Sequence, residues 1–172
     1  MAKFSPSTIE MVGNINGGVH CATGSLAATT YLVTGGTQNE IFNVYGRILV
    51  LQLYLEVTTV LSANASQVLF NATWTTPVIA AVGLCAKCAS VSAAAVGRRV
   101  VCVGGAVATA AVITAAPGIS DVTMVTPHII GATDFVGTIG TLSTDATCTS
   151  GAMVGHIHYI PYSQGAYVTA VA

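Results

Sequence analysis

The sequence predicts an all-β protein, a jelly-roll-like β-sandwich with an extended N-terminal arm, and three features of the chain carry that expectation. Apolar residues alternate with a period of two. Between Met153 and Ile160, Val154, His156, His158 and Ile160 share one face, while Gly155, Ile157 and Tyr159 share the other. Gly and Pro punctuate the chain at short intervals, at Pro77, Gly83, Gly97, Gly104-Gly105, Pro117-Gly118 and Pro127, as the turns of a sandwich or barrel do. No amphipathic stretch of helical length separates the candidate strands, which argues against a parallel α/β arrangement.

Taken in order, Met1 to Glu40 has little periodicity and many Gly, Asn, Thr and Ser, with turns expected at Asn14 to Gly18 and Thr34 to Thr37. This part, residues 1–40, reads as an arm that gains contacts in an assembly at a cost in ordering entropy, with short strands at Gly18 to Thr23 and Thr30 to Val33. Residues 41–172 read as the sandwich domain. From Arg47, Leu49, Leu51, Leu53, Leu55 and Val57 form one uniformly apolar face, and Gln52, Glu56 and Thr58 lie on the other. A helix competes here because leucine favours it, but Val57-Thr58-Thr59-Val60 and the flanking Gly46 favour a strand. Further strands are expected at Gln67 to Trp74, Val78 to Cys85, Arg98 to Val103, Ala111 to Thr114 and Ser120 to Thr126. Cys88 to Val96 reads as a helical turn or a loop. Phe135 to Leu142 and Met153 to Ile160 are joined by the turn-rich Ser143 to Gly151, so an antiparallel pair is the simplest expectation.

Composition says how such a chain stays in solution. Charged residues make up 6% and apolar ones 53%, with a net charge of −1, whereas soluble domains carry about a quarter charged residues. The surface must therefore be hidden, in a membrane or in an assembly. The uncharged run from Val57 to Ala86 contains Asn64, Gln67, Asn71, Pro77 and several Thr and Ser, and the run from Arg99 to Asp121 is broken at Pro117-Gly118, so neither reads as a membrane-spanning helix. The N-terminus MAKFSPSTIE lacks the apolar core of a secretory signal, which leaves the sequons at Asn64 and Asn71 inert. Assembly is the expectation that remains.

Candidate chemistry is sparse. Cys85-Ala86-Lys87-Cys88 has zinc-ligand or redox spacing, and Cys102 and Cys148 could complete four thiolates, yet they form no second CxxC pair. A disulfide is the other option; the expectation is reduced thiols that fill apolar space. His156 and His158 share a strand face and could share a metal, but the preferred reading is a half-buried pair facing a subunit interface; in a threefold assembly they could cluster around the axis and make the interface sensitive to acid. Glu10, Glu40, Glu56, Asp121, Asp134 and Asp145 are scattered, and no nucleophile elbow, Walker loop or dinucleotide fingerprint occurs. No enzyme, cofactor or metal site is expected. Arg98-Arg99 is the sole basic pair, too little for nucleic-acid binding. Tyr159, Tyr162 and Tyr167 with Trp74 could make a sugar platform or an interface, and the interface is preferred.

One resemblance adds to this reading. It is carried by Gly137, Thr138, Ile139, Thr141, Thr144, Ala146, Thr147, Ser150, Gly151 and Ala152, then Tyr159-Ile160-Pro161 and Gly165, Ala166 and Val168, and by Phe42 to Val60 with its Glu56-Val57-Thr58-Thr59 element. These segments resemble small β-rich virion proteins of tailed bacteriophages, including capsid decoration (cement) proteins. The resemblance implies a virion structural protein, a homotrimer on the capsid surface whose partner is the major capsid protein, assembled in the host cytoplasm. A tail or neck component is the alternative within that class. A surface carbohydrate-binding module is the alternative from another class, and a small metal- or redox-active enzyme a third. His156-Ile157-His158 replaces the usual basic or aromatic strand, and the cysteines lie outside the pattern, so neither inherits a role.

Overall fold

In the computed structural model, segments rich in β-branched and aromatic residues pair antiparallel in two facing sheets. The structure describes residues 19–28, 32, 38–64, 66–76, 78–103, 110–114, 128–132, 134–143 and 145–171. Their strands are β1 (His20–Ala27), β2 (Asn39–Tyr45), β3 (Ile48–Thr59), β4 (Val68–Thr76), β5 (Val78–Gly83), β6 (Arg99–Val101), β7 (Val112–Ile113), β8 (His128–Ile130), β9 (Val136–Ser143), β10 (Ala152–Pro161) and β11 (Tyr167–Ala170). One sheet has the order β1-β10-β3-β6-β7, with β8 also on β3; the other has the order β11-β2-β9-β4-β5. The result is an all-β sandwich, as the period-two pattern predicts.

The pairings are nested: β1 lies against β10, β2 against β9, β3 against β6 and β4 against β5. This nesting corrects the expected pairing of the segments near the C-terminus. β9 bonds β2 and β4, while β10 bonds β1 and β3, so the turn-rich link between them is a crossing from one sheet to the other. The physical reason is burial. Ile139 and Ile157 are both fully buried, and they reach the core from opposite sheets.

The Leu-rich segment is strand β3, which disposes of the helical alternative, but its faces are not those of a strict alternation. A register shift leaves an extra residue on β3 where β10 passes from His158, opposite Gln52, to Tyr159, opposite Val50. Beyond it Leu53, Leu55 and Val57 point inward as expected, whereas before it Ile48 and Val50 are buried and Leu49 and Leu51 are only half-buried. β10 keeps a regular alternation, with Met153, Gly155, Ile157 and Tyr159 inward.

Elsewhere the expected strands at Gln67 to Trp74, Val78 to Cys85, Arg98 to Val103 and Ala111 to Thr114 are present with trimmed or shifted ends, and residues 88–96 form a loop with turns. β1 extends the first expected strand to Ala27 and belongs to the sandwich. The expected strand at Ser120 to Thr126, most of the N-terminal arm and all of Thr30 to Val33 except Leu32, which is a buried bend, lie outside the described residues. β2 crosses to β3 at Gly46, whose φ of 73° suits glycine, and a Cβ there would lie 2.8 Å from Ser163 Oγ.

The core fills the gap between sheets. Phe42, Phe70 and Ile139 of one sheet, with Phe135 at the start of β9, pack against Leu26, Leu53, Leu55, Met153 and Ile157 of the other. Gly155 leaves room in the middle of this layer: a Cβ there would lie 2.8 Å from Ile41 Cγ2 and 3.4 Å from Phe42 Cζ.

Candidate functional site: the outer face of the β10–β3 sheet

Alternation puts a second set of β1, β10, β3 and β6 side chains on the outside of their sheet. Register places Thr23, His156, Tyr54 and Val101 in one row across the four strands, Ser25, Val154, Glu56 and Arg99 in the next, and Cys21, His158 and Gln52 on the other side of the first. His156 stacks on Tyr54 with ring centroids 4.6 Å apart and planes within 9°, and His158 lies 6.2 Å from the same ring. Arg99 Nε donates to Glu56 Oε2 at 2.8 Å, and its guanidinium carbon stands 5.2 Å from the Tyr54 centroid. Below this cluster the irregularity in β3 brings Leu49 to the outer face opposite Ile160 on one side and Ile129 on the other. Ile129 is 57% exposed. The surface thus joins Tyr, His and Arg to an aliphatic margin, and Tyr and Arg are enriched at protein interfaces.

Electrostatics follows from the packing. Burial pushes the Tyr54 phenol up, with Arg99 opposing. Burial likewise pushes His156 below the ordinary imidazole value; the Glu56 carboxylate opposes this, and His158 and Arg99 add to it. Because the folded imidazole resists protonation, the unfolded chain binds more protons once the pH falls below its value of about 6.5. Stability is therefore expected to decline as pH drops from 7 towards 5, and His156→Gln is expected to flatten that decline. Thermal melting across this range checks it, and identical pH profiles for both proteins would remove His156 as the cause.

His156 and His158 are both half-buried on the outer face, where alternation puts them. Both members of the basic pair are engaged: Arg99 holds Glu56, and Arg98 Nε donates to the Thr114 carbonyl at 3.0 Å. None of the five cysteines is in a disulfide. Cys85 and Cys88 are buried and accept from the Phe70 and Val68 amides, while Cys148 lies beside Ser62 at 3.2 Å. Among the described residues, no three His, Cys, Asp or Glu side chains are grouped so as to hold a metal ion. The tyrosine set does not form one platform. Tyr159 is buried with its hydroxyl accepting from the Val168 amide, Trp74 packs edge-on to Phe135, and Tyr167 stacks instead on Tyr45 at 4.5 Å.

The margins of both sheets share one property. β1, β7 and β8 in one sheet and β5 and β11 in the other contain no Asp, Glu, Lys or Arg. Val78 and Val82 of β5 are 88% and 41% exposed. Among the described residues no helix is long and apolar enough to cross a membrane. A scan against protein-family models finds no match for the chain, and searches of curated proteins and of solved structures return none.

Sequence reasoning missed Tyr54 and Arg99 as members of this surface. The signal was present: Gln52, Tyr54 and Glu56 alternate with the leucines and so share the face opposite the core. Their junction with His156 depends on the partner and register of β3, which spacing along one segment does not encode.

Proposed function

We propose that this chain is a virion structural protein, a capsid decoration protein that cements the shell through contacts between subunits and with the major capsid protein, as a homotrimer. The observation that carries the reading is that, among the described residues, no marginal strand contains Asp, Glu, Lys or Arg. Soluble proteins protect exposed edges with charge, proline or bulges, because unpaired N–H and C=O groups template pairing with another chain. β1 and β5 are long enough to pair with a neighbour, at 8 and 6 residues, and they lack these charges; β1 is also regular in register, while β5 has one irregularity against β4. The low charge of the whole chain and the likeness to phage decoration proteins support the same role. So does the nested strand order, which we read as a jelly roll, the double-sheet arrangement used by viral capsid domains. The outer face around Tyr54 and Leu49 is the second contact surface. The mechanism needs no chemistry: each standard interface buries about 1,200–2,000 Å², and repetition over a shell multiplies the gain.

Copy number tests the role. Quantitative mass spectrometry of purified particles is expected to find this chain in hundreds of copies; a few to dozens would move it to the tail or neck, and absence from particles would refute the reading. An edge variant tests the mechanism. Val82→Lys puts a charge on an exposed position, where substitutions change stability by about 0.5 kcal/mol or less. It is expected to keep the far-UV spectrum and melting temperature while abolishing self-association in sedimentation. Unchanged association would show that the β5 edge is not an interface.

A further inference from the structure

Cys21 is the one cysteine of the five that is exposed. It stands on β1 directly opposite His158 of β10, and its Sγ lies 3.8 Å from His158 Nε2. Facing residues in an antiparallel pair have Cβ atoms about 4.5–5.5 Å apart, so both side chains leave the sheet together and converge on one point. Zinc binds thiolate sulfur at about 2.3 Å and imidazole nitrogen at about 2.0–2.1 Å, which at a tetrahedral angle sets sulfur and nitrogen roughly 3.5 Å apart. The pair is thus within a few tenths of an ångström of the separation that one bound cation requires.

We infer that Cys21 and His158 form a two-residue surface site for a thiophilic d-block cation of the zinc type. The site is independent of any role in a virion. Its donors are one soft sulfur and one imidazole nitrogen, a set that selects zinc-like ions over magnesium or calcium. No third protein donor joins them among the described residues, so water completes the coordination and the site stays open. The other four thiols are buried and lie off this face. Binding exchanges a proton for the metal: the Cys21 S–H bond breaks, the proton goes to solvent and the sulfur bonds the cation with no change in oxidation state. Affinity is therefore expected to rise with pH, because binding releases a proton.

Cobalt(II) is the probe, because a cobalt–thiolate bond absorbs in the near ultraviolet and Zn²⁺ displaces it. Titrating the reduced full-length protein with Co²⁺ is expected to produce this band at one metal per chain and to lose it on adding Zn²⁺. Cys21→Ser is expected to abolish the band, and His158→Gln to weaken binding by about tenfold or more. Both substitutions lie on the outer face, so the melting temperature of each variant checks that the fold persists. No band at millimolar Co²⁺ overturns the inference. So does a band that survives Cys21→Ser and disappears in Cys85→Ser, which would place the metal among the buried thiols.

Discussion

Phe42→Ala is expected to destabilise the sandwich by about 3–5 kcal/mol, the range measured for large aromatic side chains truncated in a core. Phe42 is 0% exposed. It stands on β2, paired with Ile139 on one side and Ala170 on the other, and its ring reaches across the gap to the position of Gly155 in the opposite sheet. Truncation removes both the transfer energy of the ring and the contacts of its neighbours, and two sheets held by hydrogen bonds on all sides cannot close on the void. Urea unfolding followed by circular dichroism measures the loss. A change below about 1 kcal/mol would mean that β2 does not span the core.

Gly155→Val is expected to be damaging for the opposite reason. The added Cβ would lie 2.8 Å from Ile41 Cγ2, and the two methyl groups would extend further towards Phe42 and Leu26. Overpacking of this kind costs about 1–3 kcal/mol and sometimes more. The two effects are coupled, because each substitution alters the space the other needs. In Phe42→Ala the void can accept the valine, so the double variant is expected to be more stable than the sum of the two losses. Strict additivity in the urea midpoints would contradict the contact between Gly155 and Phe42.

The fold was legible wherever a face alternates without interruption. β10 shows this best: Met153, Ile157 and Tyr159 inward, and His156 and His158 outward, follow from period two alone. β3 shows the limit. Five apolar residues in odd positions imply one apolar face, yet the extra residue opposite the His158–Tyr159 step inverts the face for Leu49 and Leu51. A bulge arises from the mismatch between two paired strands, so neither strand displays it by itself. The pairing of β9 with β2 and β4 was hidden for a related reason. A turn-rich link is compatible with a hairpin and with a crossing between sheets, and only the need to bury both Ile139 and Ile157 decides between them. The candidate surface was half legible. The histidines could be placed by alternation, but the Tyr54 ring beneath them and the Arg99–Glu56 pair beside it are brought there by strands distant in the chain.

The nested strand order has a consequence for synthesis. β1 leaves the ribosome well before β10, which among the described residues is its only hydrogen-bonded neighbour in the sheet. β2 waits in the same way for β9. Closing such distant contacts is slow, and until then the nascent chain exposes unpaired backbone, on β1 with no Asp, Glu, Lys or Arg to repel a neighbour. Among the described residues, the local pairs β4 with β5 and β6 with β7 can form early. Slow closure of this kind favours aggregation, so the yield of folded protein is expected to rise when chaperones are supplied during synthesis.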